Sequence, residues 1–424
     1  MAMRIAVVGA GWSGLAAAVE CAGRDAQVTL FEMAPAVGGR ARDLAAGDDG
    51  LDNGQHICIG AYRETLRLMA SVGVAENDAF LRLPLCLVDA QGFGLRLRPG
   101  RAMPAFARAV LGRRGWIWRD RFALLRTAAG WAASGFTCAP RASVAELAAR
   151  LPEPVRRELI EPLCVAALNT PAAAASGTVF LRVLRDALAA GAGASDLLLP
   201  RRGLGSLLPA PALARLQAAG ATVKLACRVD NIQAAERGWR VDDEPFDAVV
   251  VAASAVEAAR LLAPHDAAWA ARAAALRYEP IVTVYARSAG THLPEPMLVL
   301  HADEVRPAQF VFDRGQLGGP AGLLAFVVSG ADAWVARGLA ATEAATLAQA
   351  RADLASHLRA PLEPLRTIVE KRATFRCTPM LDRPPLQVAP GLVAAGDYID
   401  GPYPATLEGA VRSGTAAARA LLPG

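Results

Sequence analysis

One short unit near the start of the chain restricts the fold more than any other stretch. Residues 4–9, RIAVVG, form an apolar run typical of a buried strand, and residues 15–22 are an alanine-rich stretch that favours a helix. The turn GAGWSG, residues 9–14, joins them, and a second strand-like run, QVTLFE, ends at Glu32. Strand, glycine turn, helix and strand in this order predict a parallel α/β sheet with a dinucleotide site.

The glycines of this turn have separate predicted roles. Gly9 permits the tight turn, Gly11 lets the backbone approach a pyrophosphate at the helix N-terminus, and Gly14 lets the helix pack closely on the sheet. Glu32 follows Gly14 by 18 residues and can accept hydrogen bonds from ribose hydroxyls. An acid at this position disfavours NADP, but it leaves both NAD and FAD open.

Composition narrows the class of protein. Of 424 residues, 54% are hydrophobic and 20% charged, as in a globular chain with room for two or three domains. The net charge of +5 comes without a nucleic-acid motif, so no nucleic-acid partner is expected. The longest uncharged run, residues 162–181, contains two prolines, and no transmembrane helix is expected. Seven widely spaced cysteines without a C-x-x-C pair indicate reduced thiols and no metal site.

A second glycine loop, Gly38-Gly39-Arg40, follows the second strand. It resembles the double-glycine–arginine signature of the FAD-dependent amine oxidase and carotenoid desaturase superfamily. The resemblance implies FAD as the cofactor, with this loop beside the flavin's phosphates and ribityl chain. An ordinary surface turn is the alternative interpretation.

Two later segments resemble the remaining pieces of such an FAD domain. Residues 221–229, 238–243 and 246–254 have the composition of three strands, and the resemblance implies that Val229 contacts adenine through its backbone. Ser254 and Glu257 form a capping-box sequence that should open a helix, and Ser143 and Glu146 form another one before the run LAARL, residues 147–151.

The last piece is a predicted strand, residues 392–395, that ends at Gly396-Asp397. A helix should start near Thr406. In the family, the aspartate bonds the ribityl or pyrophosphate region and the helix directs its N-terminus at the flavin pyrimidine ring. A helix N-terminus stabilises negative charge, so this one should favour an anionic reduced flavin. The alternative is a helix that only closes the core.

Residues 51–60, LDNGQHICIG, have the apolar ends of a strand but a polar start. Buried polar groups are unfavourable unless they are hydrogen-bonded. The run resembles the Leu-Asp-Asn-Gly-Gln-His signature of the hydroxysqualene dehydroxylases, whereas general amine oxidases tend to have a second glycine in place of Gln55. The resemblance implies a polar strand that faces the flavin, with Gly54 approaching the ring and Gln55 and His56 on the reaction side. A hydrogen-bonded core histidine is the alternative interpretation of His56.

The resemblance covers nearly the whole chain and implies a reaction. Hydroxysqualene, an isoprenoid, would be reduced to squalene in bacterial squalene and hopanoid biosynthesis, by protonation of the allylic hydroxyl, loss of water and hydride transfer from reduced flavin N5. His56 is the predicted general acid. A carotenoid or phytoene-type desaturase and a non-catalytic flavin- and lipid-binding protein remain as alternatives, and the electron donor is left open.

Residues 108–131 form the main basic cluster, in which six arginines alternate with three tryptophans and Phe122. Such a mixture suits an anionic membrane interface, but a solvated helical face with some buried aromatic residues explains it equally well. The predicted location is therefore the cytoplasm, with peripheral attachment to the inner face of the cytoplasmic membrane left open.

The predicted fold class is α/β, with a Rossmann-type FAD-binding domain of the amine oxidase/phytoene desaturase kind and a mixed α+β substrate domain. The predicted FAD-binding segments are residues 1–70, 221–262 and 391–424, and the substrate segments are residues 71–220 and 263–390. The predicted catalytic residues are His56 and Gln55. The predicted cofactor-binding residues are Gly9, Gly11, Trp12, Ser13, Gly14, Glu32, Gly38, Gly39, Arg40, Asn53, Gly54, Val229, Gly396, Asp397, Ala405, Thr406 and Leu407.

Overall fold

The structure is a computed structural model that describes residues 2–44 and 51–422. Its strands are, in chain order, β1 (Arg4–Val8), β2 (Gln27–Phe31), β3 (Cys58–Ile59), β4 (Phe80–Leu83), β5 (Cys86–Val88), β6 (Gly94–Arg96), β7 (Leu197–Pro200), β8 (Thr222–Lys224), β9 (Ile232–Ala234), β10 (Trp239–Val241), β11 (Glu244–Phe246), β12 (Ala248–Val251), β13 (Tyr278–Arg287), β14 (Met297–Val299), β15 (Phe310–Asp313), β16 (Leu323–Val328), β17 (Glu363–Phe375), β18 (Gln387–Ala389) and β19 (Leu392–Ala394).

The helices are α1 (Trp12–Ala22), α2 (Arg63–Ser71), α3 (Glu76–Ala79), α4 (Ala102–Leu111), α5 (Trp118–Ala133), α6 (Val144–Ala148), α7 (Glu153–Val155), α8 (Glu161–Leu168), α9 (Gly177–Ala189), α10 (Leu204–Leu207), α11 (Pro209–Ala218), α12 (Ala255–Leu262), α13 (Ala267–Ala274), α14 (Asp332–Arg337), α15 (Leu339–Asp353) and α16 (Leu407–Leu421). A π-helical turn, Arg156–Ile160, joins α7 to α8, and a 3-10 turn, Arg314–Leu317, follows β15. Within residues 2–44 and 51–422, none of these helices has the length and hydropathy needed to cross a bilayer.

A six-stranded sheet of order β18-β19-β12-β1-β2-β8 forms the first layer. Its neighbours pair in parallel, except that β18 runs antiparallel to β19 at one edge. All four residues of β12 are buried, as expected for a parallel strand covered on both faces. The carboxyl ends of β1, β2, β12 and β19 therefore lie along one edge of the sheet.

Helix α1 is covered on several sides. It packs against the sheet, against α16 and against α11, and Ala16, Ala17 and Ala18 are all buried. A Cβ on Gly14 would lie 1.8 Å from the carbonyl oxygen of Gly9, so only glycine permits this approach of helix to turn. Helix α11 belongs to the predicted substrate segment, residues 71–220, yet it packs on this layer; the division into segments stays a prediction.

A five-stranded antiparallel sheet of order β14-β15-β16-β13-β17 forms the second layer. Its side chains alternate between two environments, as the two-residue period of a strand requires. Val311, Phe326 and Val328 pack in the apolar cluster that includes residues of α15, whereas Phe310 and Phe312 face the opposite side. That second face becomes one wall of the cavity described below.

The two capping-box predictions have different outcomes. At α6 the prediction is confirmed, because the Ser143 side chain accepts from the Glu146 amide and the Glu146 carboxylate accepts from the Ser143 amide. At α12 it is wrong: the helix begins at Ala255 as expected, but in the described structure the Ser254 side chain makes no capping hydrogen bond. The carboxylate of Glu257 instead pairs with Arg260, at 3.0 Å.

Candidate active site

A cavity of about 440 Å³ lies at the carboxyl ends of the parallel strands. Gly9, Glu32 and Gly396, which follow β1, β2 and β19, line one side, and Phe310 and Phe312 from the antiparallel sheet line another. In open α/β sheets, ligands bind outside the carboxyl ends of the strands, and this volume lies within the usual range for ligand pockets. The cavity is therefore the candidate site for a cofactor and a substrate.

Seventeen of the nineteen predicted site residues line this one cavity. Gly14 lies behind the wall, where it permits the contact between α1 and the turn. Gly38 also lies outside the lining, and its amide donates to the carbonyl of Ala10 at 2.8 Å, which holds the second glycine loop against the first. The lining residues are Gly9, Gly11, Trp12, Ser13, Glu32, Gly39, Arg40, Asn53, Gly54, Gln55, His56, Val229, Gly396, Asp397, Ala405, Thr406 and Leu407.

The N-terminus of α1 opens into the cavity. Gly11 is the N-cap, so it brings no side chain to cap the helix, and Trp12 and Ser13 line the space. The nearest described atom that a Cβ on Gly11 would meet is the Cα of Gly39, at 4.0 Å. Main-chain N–H groups and the positive end of a helix attract a phosphate, so this end fits the pyrophosphate of the predicted FAD.

Glu32 is buried at the end of β2 and held by two backbone hydrogen bonds. Its Oε2 accepts from the Ala10 amide at 2.7 Å, and its Oε1 accepts from the Ala34 amide at 2.8 Å. A carboxylate oxygen can accept more than one hydrogen bond, so Glu32 keeps capacity for ribose hydroxyls. The fixed carboxylate fits the role predicted for it.

Arg40 ties the second glycine loop to two other parts of the site. Its Nη2 donates to Asp397 Oδ1 at 2.6 Å, and its Nη1 donates to the carbonyls of Arg372 and Ala373 at 3.1 and 2.9 Å. The guanidinium is thus fixed at the cavity edge with a charge-assisted hydrogen bond. This side chain thereby ties the second glycine loop to β17 and to the residues after β19 at the cavity edge.

The N-terminus of α16 also reaches the cavity. Thr406 is its N-cap, with Oγ1 accepting from the Gly409 amide at 3.0 Å, and Thr406, Leu407 and Ala410 line the cavity. Helix α16 begins one residue after the position that the sequence indicates. Its positive end can stabilise negative charge on a group bound in front of it.

The prediction that residues 51–60 form a strand is wrong for most of the run. Only Cys58–Ile59 are strand, and residues 53–57 form an irregular loop. Asn53, Gly54, Gln55, His56 and Ile57 all line the cavity. A strand would turn every second side chain away, so the loop is what allows five consecutive residues to face one space.

His56 is held by its own loop. The ring Nδ1 lies 2.9 Å from the carbonyl oxygen of Gly54, and since a carbonyl only accepts, Nδ1 carries a proton. Burial lowers the pKa of His56, the hydrogen bond to Gly54 opposes this, and the charge of Arg40 lowers it further. The imidazole is therefore neutral at neutral pH with an accepting Nε2, and once protonated it is a stronger acid than an ordinary histidine.

Gln55 is fixed by a buried cation. Its Oε1 accepts from Arg314 Nη1 at 3.2 Å, and the Nη2 of Arg314 lies 3.9 Å from Asp52 Oδ2. Asp52 Oδ1 accepts from the Leu204 amide at 2.8 Å. Burial raises the pKa of Asp52 to about 7, against the opposing effects of the Leu204 hydrogen bond and the Arg314 charge. A buried Asp52–Arg314 pair thus supports the loop from behind.

The sequence analysis did not identify several residues that support the cavity. Asn53 Nδ2 donates to Glu370 Oε2 at 3.1 Å, and Asn169 Nδ2 donates to Thr374 Oγ1 at 2.9 Å, so β17 and the end of α8 both support the cavity. Asn169 has φ +47° directly after α8, and asparagine tolerates this left-handed conformation. The Asn-Thr-Pro sequence at 169–171 could have indicated the helix end, but nothing local connects it to the cavity.

Apolar side chains occupy much of the remaining wall. They come from the loop, from α8 and from three strands of the antiparallel sheet, so elements far apart in sequence form one apolar surface. Such a surface excludes water from whatever binds beside His56. These residues are Ile57, Val165, Leu168, Ile281, Phe310, Phe312 and Val327.

Comparison with known proteins agrees with this geometry. A family model described as flavin containing amine oxidoreductase matches residues 12–422. Hydroxysqualene dehydroxylase of Sinorhizobium fredii is 27% identical over an alignment of 446 residues, which covers 99% of this chain and 98% of that protein. The protein of the same name from Rhodopseudomonas palustris is 28% identical over 456 residues, covering 100% and 99%.

Solved structures of other proteins share this fold. The crystal structure of an oxidoreductase from Methanosarcina mazei superposes with a TM-score of 0.71 at 16% identity, over 98% of this chain and 99% of that chain. At this identity the likeness concerns the fold alone. The two-layer arrangement around the cavity is thus a known one.

Proposed function

Because the chain belongs to the flavin-containing amine oxidoreductase family, we propose that this FAD-dependent oxidoreductase removes the hydroxyl group of hydroxysqualene and so forms squalene. The two relatives aligned along nearly their whole length carry the name hydroxysqualene dehydroxylase. At 27–28% identity to these relatives, the proposal draws its further support from the residues of the site.

The observation that carries the proposal is the loop of residues 53–57. It places the His56 ring and the Gln55 amide in the same space as the FAD-binding residues, with an apolar wall beside them. A long isoprenoid with one hydroxyl needs this combination of an apolar surface and a single place for proton transfer.

The reaction requires one proton and one hydride. Reduced FAD, when bound, supplies the hydride from its N5 atom. Protonated His56 would donate from Nε2 to the hydroxyl oxygen, so that the C–O bond breaks and its electron pair leaves with water. The allylic carbon then gains the hydride as a new C–H bond, and the apolar wall keeps other water from the cation.

The remaining residues of the site position these groups. Arg314 fixes Gln55 through a hydrogen bond of 3.2 Å, and the Gly54 carbonyl fixes the His56 ring. The N-termini of α1 and α16 favour negative charge on the cofactor at the pyrophosphate and near the reacting ring, respectively. A reduced, anionic cofactor is the form that can give up a hydride.

The test is an anaerobic incubation of the FAD-loaded protein with chemically reduced FAD and hydroxysqualene. We expect one squalene for each FAD oxidised. In D2O, where the N5 hydrogen of reduced flavin is exchanged for deuterium, one deuterium should appear on the carbon that lost its hydroxyl. Formation of no squalene, together with desaturation of phytoene or squalene by oxidised FAD, would reverse the direction of hydride transfer and replace the proposal by the desaturase alternative.

A further inference from the structure

The stretch that joins α4 to α5, residues 111–122, exposes a group of large apolar side chains; it is called the α4–α5 tip below. Ile117 is 64% exposed, Trp118 61% and Phe122 59%. The rings of Trp118 and Phe122 lie 5.9 Å apart, so these side chains form one patch. Scattered apolar residues are normal on a surface, but a contiguous patch of this kind marks an interaction site.

The tip is held in place by buried polar contacts. Arg113 is buried and its Nη2 donates to Glu158 Oε2 at 2.9 Å, and the same carboxylate oxygen accepts from Trp116 Nε1 at 2.9 Å. Arg121 donates to the carbonyls of Leu111 and Arg113, both at 2.7 Å. The exposed apolar side chains therefore belong to a segment whose backbone and buried side chains are fixed by hydrogen bonds.

The charged side chains that are exposed within the tip are arginines. Residues 101–145 contain eight arginines and one acidic residue, Asp120, which is buried. Arg114 and Arg119 are exposed directly beside Ile117 and Trp118. Exposed arginines around a tryptophan and aliphatic side chains match an anionic lipid surface, where headgroups attract the cations and the acyl boundary accepts the apolar groups.

Helix α8 contributes to two cavities. A small cavity of about 30 Å³, lined only by apolar residues, lies between α4, α5, α8 and α9. Leu163 of α8 lines this small cavity, while Val165 and Leu168 of the same helix line the large one. The helices that carry the tip therefore pack, through apolar side chains, on a helix that also lines the candidate active site.

We propose that the α4–α5 tip docks on an anionic lipid surface, with Ile117, Trp118 and Phe122 inserted into the headgroup boundary and Arg114 and Arg119 facing the headgroups. We assign this contact a role in delivering an apolar substrate along the layer between α5 and α8, and that role rests on the proposed function. The docking itself does not depend on the proposed function. A second copy of the chain and a nucleic acid are the other partners that a basic apolar patch could bind.

The experiment uses the full-length, FAD-loaded protein and sedimentation with vesicles. Vesicles of phosphatidylcholine with phosphatidylglycerol should retain the protein, and pure phosphatidylcholine vesicles should retain much less. The double substitution Arg114→Glu, Arg119→Glu should weaken binding to the anionic vesicles by roughly tenfold or more, since each basic residue contributes about 1 kcal/mol near such a surface. The triple substitution Ile117→Ser, Trp118→Ser, Phe122→Ser should also weaken it by roughly tenfold or more.

Matched controls come from other exposed positions. Val305 is 72% exposed and Arg237 is exposed, so Val305→Ser and Arg237→Glu repeat the two kinds of change away from the tip. Both should bind vesicles like the parent. FAD content and the thermal unfolding midpoint of every variant establish that the comparison is between folded proteins.

Three outcomes would overturn the proposal: tip variants that bind vesicles as well as the parent, a parent that dimerises through the tip in gel filtration, or a parent that binds duplex DNA in preference to vesicles.

Turnover of detergent-dispersed hydroxysqualene separates the docking proposal from the proposed function. If the parent and the tip variants react equally in detergent, the tip acts at the lipid surface alone. If the parent binds vesicles but forms no squalene in detergent, the docking stands and the proposed reaction fails.

Discussion

The two ends of the cavity are built from different parts of the chain. At the nucleotide end, glycines contribute bare backbone to the lining, from the turn before α1, the second glycine loop and the end of β19, with Glu32 and Arg40 as fixed charges. At the reaction end, the surface is made of side chains from the loop 53–57, supported by Arg314 and Glu370 from distant segments.

This difference predicts two kinds of sensitivity. A backbone surface depends on the absence of side chains, so adding atoms should damage the nucleotide end. A side-chain surface depends on particular functional groups, so removing atoms should damage the reaction end. Substitutions of each kind therefore test whether the two ends are as separate as the structure indicates.

The largest effect is expected for Gly14→Ala. A Cβ at this position would lie 1.8 Å from the Gly9 carbonyl oxygen, and rotation of a side chain cannot relieve a clash with the backbone. The cost should exceed the roughly 1–3 kcal/mol of ordinary overpacking, and little folded, FAD-containing protein should be recovered. Soluble yield and urea unfolding measure this. A variant with the parent's stability would show that α1 can move away from the turn.

His56→Ala should give the next largest effect. Loss of the general acid should slow squalene formation by roughly 10²–10⁴-fold while FAD stays bound. Because burial lowers the pKa of His56, the acid form accumulates only below the ordinary range, so the parent's kcat should rise as pH falls through that pKa. The variant should lose this rise, which stopped-flow rates across pH would detect.

His265 provides the matched control for that substitution. Its Nε2 also lies 2.9 Å from a backbone carbonyl, that of Ile232, but its ring does not line the described cavity. His265→Ala should keep the parent's rate and pH profile. If both variants react like the parent, the acid is a different group and the proposed reaction can still hold.

Gly11→Val should separate binding from folding. The nearest described atom to a Cβ here is 4.0 Å away, so the added Cβ makes no close contact with the chain itself, and in the proposed binding mode the side chain crowds the pyrophosphate. A steric cost of about 1–3 kcal/mol would weaken FAD binding roughly 5- to 150-fold. Titration with FAD measures this, and circular dichroism should match that of the apo parent. Unchanged FAD affinity would place the pyrophosphate elsewhere.

The sequence predicted the nucleotide end well because its determinants are local. The strand, turn, helix and strand of residues 4–32 lie where their periodicity and glycine spacing indicate, with α1 starting at Trp12 instead of near residue 15. Glycine is needed there for backbone reasons that neighbouring residues already reveal. The same holds for Thr406, whose hydroxyl caps α16.

The reaction end was predicted less well because its determinants are remote. The loop at residues 53–57 resembles a strand in its apolar ends, but its polar groups are satisfied from far away. Gln55 accepts from a side chain 259 residues later, and Asn53 donates to one 317 residues later. No local pattern contains those partners, so the sequence could indicate which residues face the cavity but not what holds them.

The last expected effect concerns the pH dependence of stability and the support behind the reaction end. Asp52→Asn should change how stability depends on pH. Burial raises the pKa of Asp52 to about 7 in the folded protein, against about 3.9 in an unfolded chain. Between these values the folded state binds a proton that the unfolded state has released, so the parent's free energy of unfolding should fall as pH rises, by at most about 1.4 kcal/mol per unit.

Asparagine cannot ionise, so in the Asp52→Asn variant this contribution disappears. Its carbonyl oxygen can still accept from the Leu204 amide, so the two proteins should be similarly stable below about pH 4, where Asp52 is protonated in both the folded and the unfolded parent. At pH 8 the variant should be the more stable one. Urea unfolding across this range measures the difference, and Asp230→Asn, at an exposed position, should follow the parent. If the variant instead loses stability at pH 8, the ionised carboxylate is needed beside Arg314, and the reaction end depends on a buried ion pair. Because Arg314 also donates to Gln55, loss of that pair should then slow squalene formation as well.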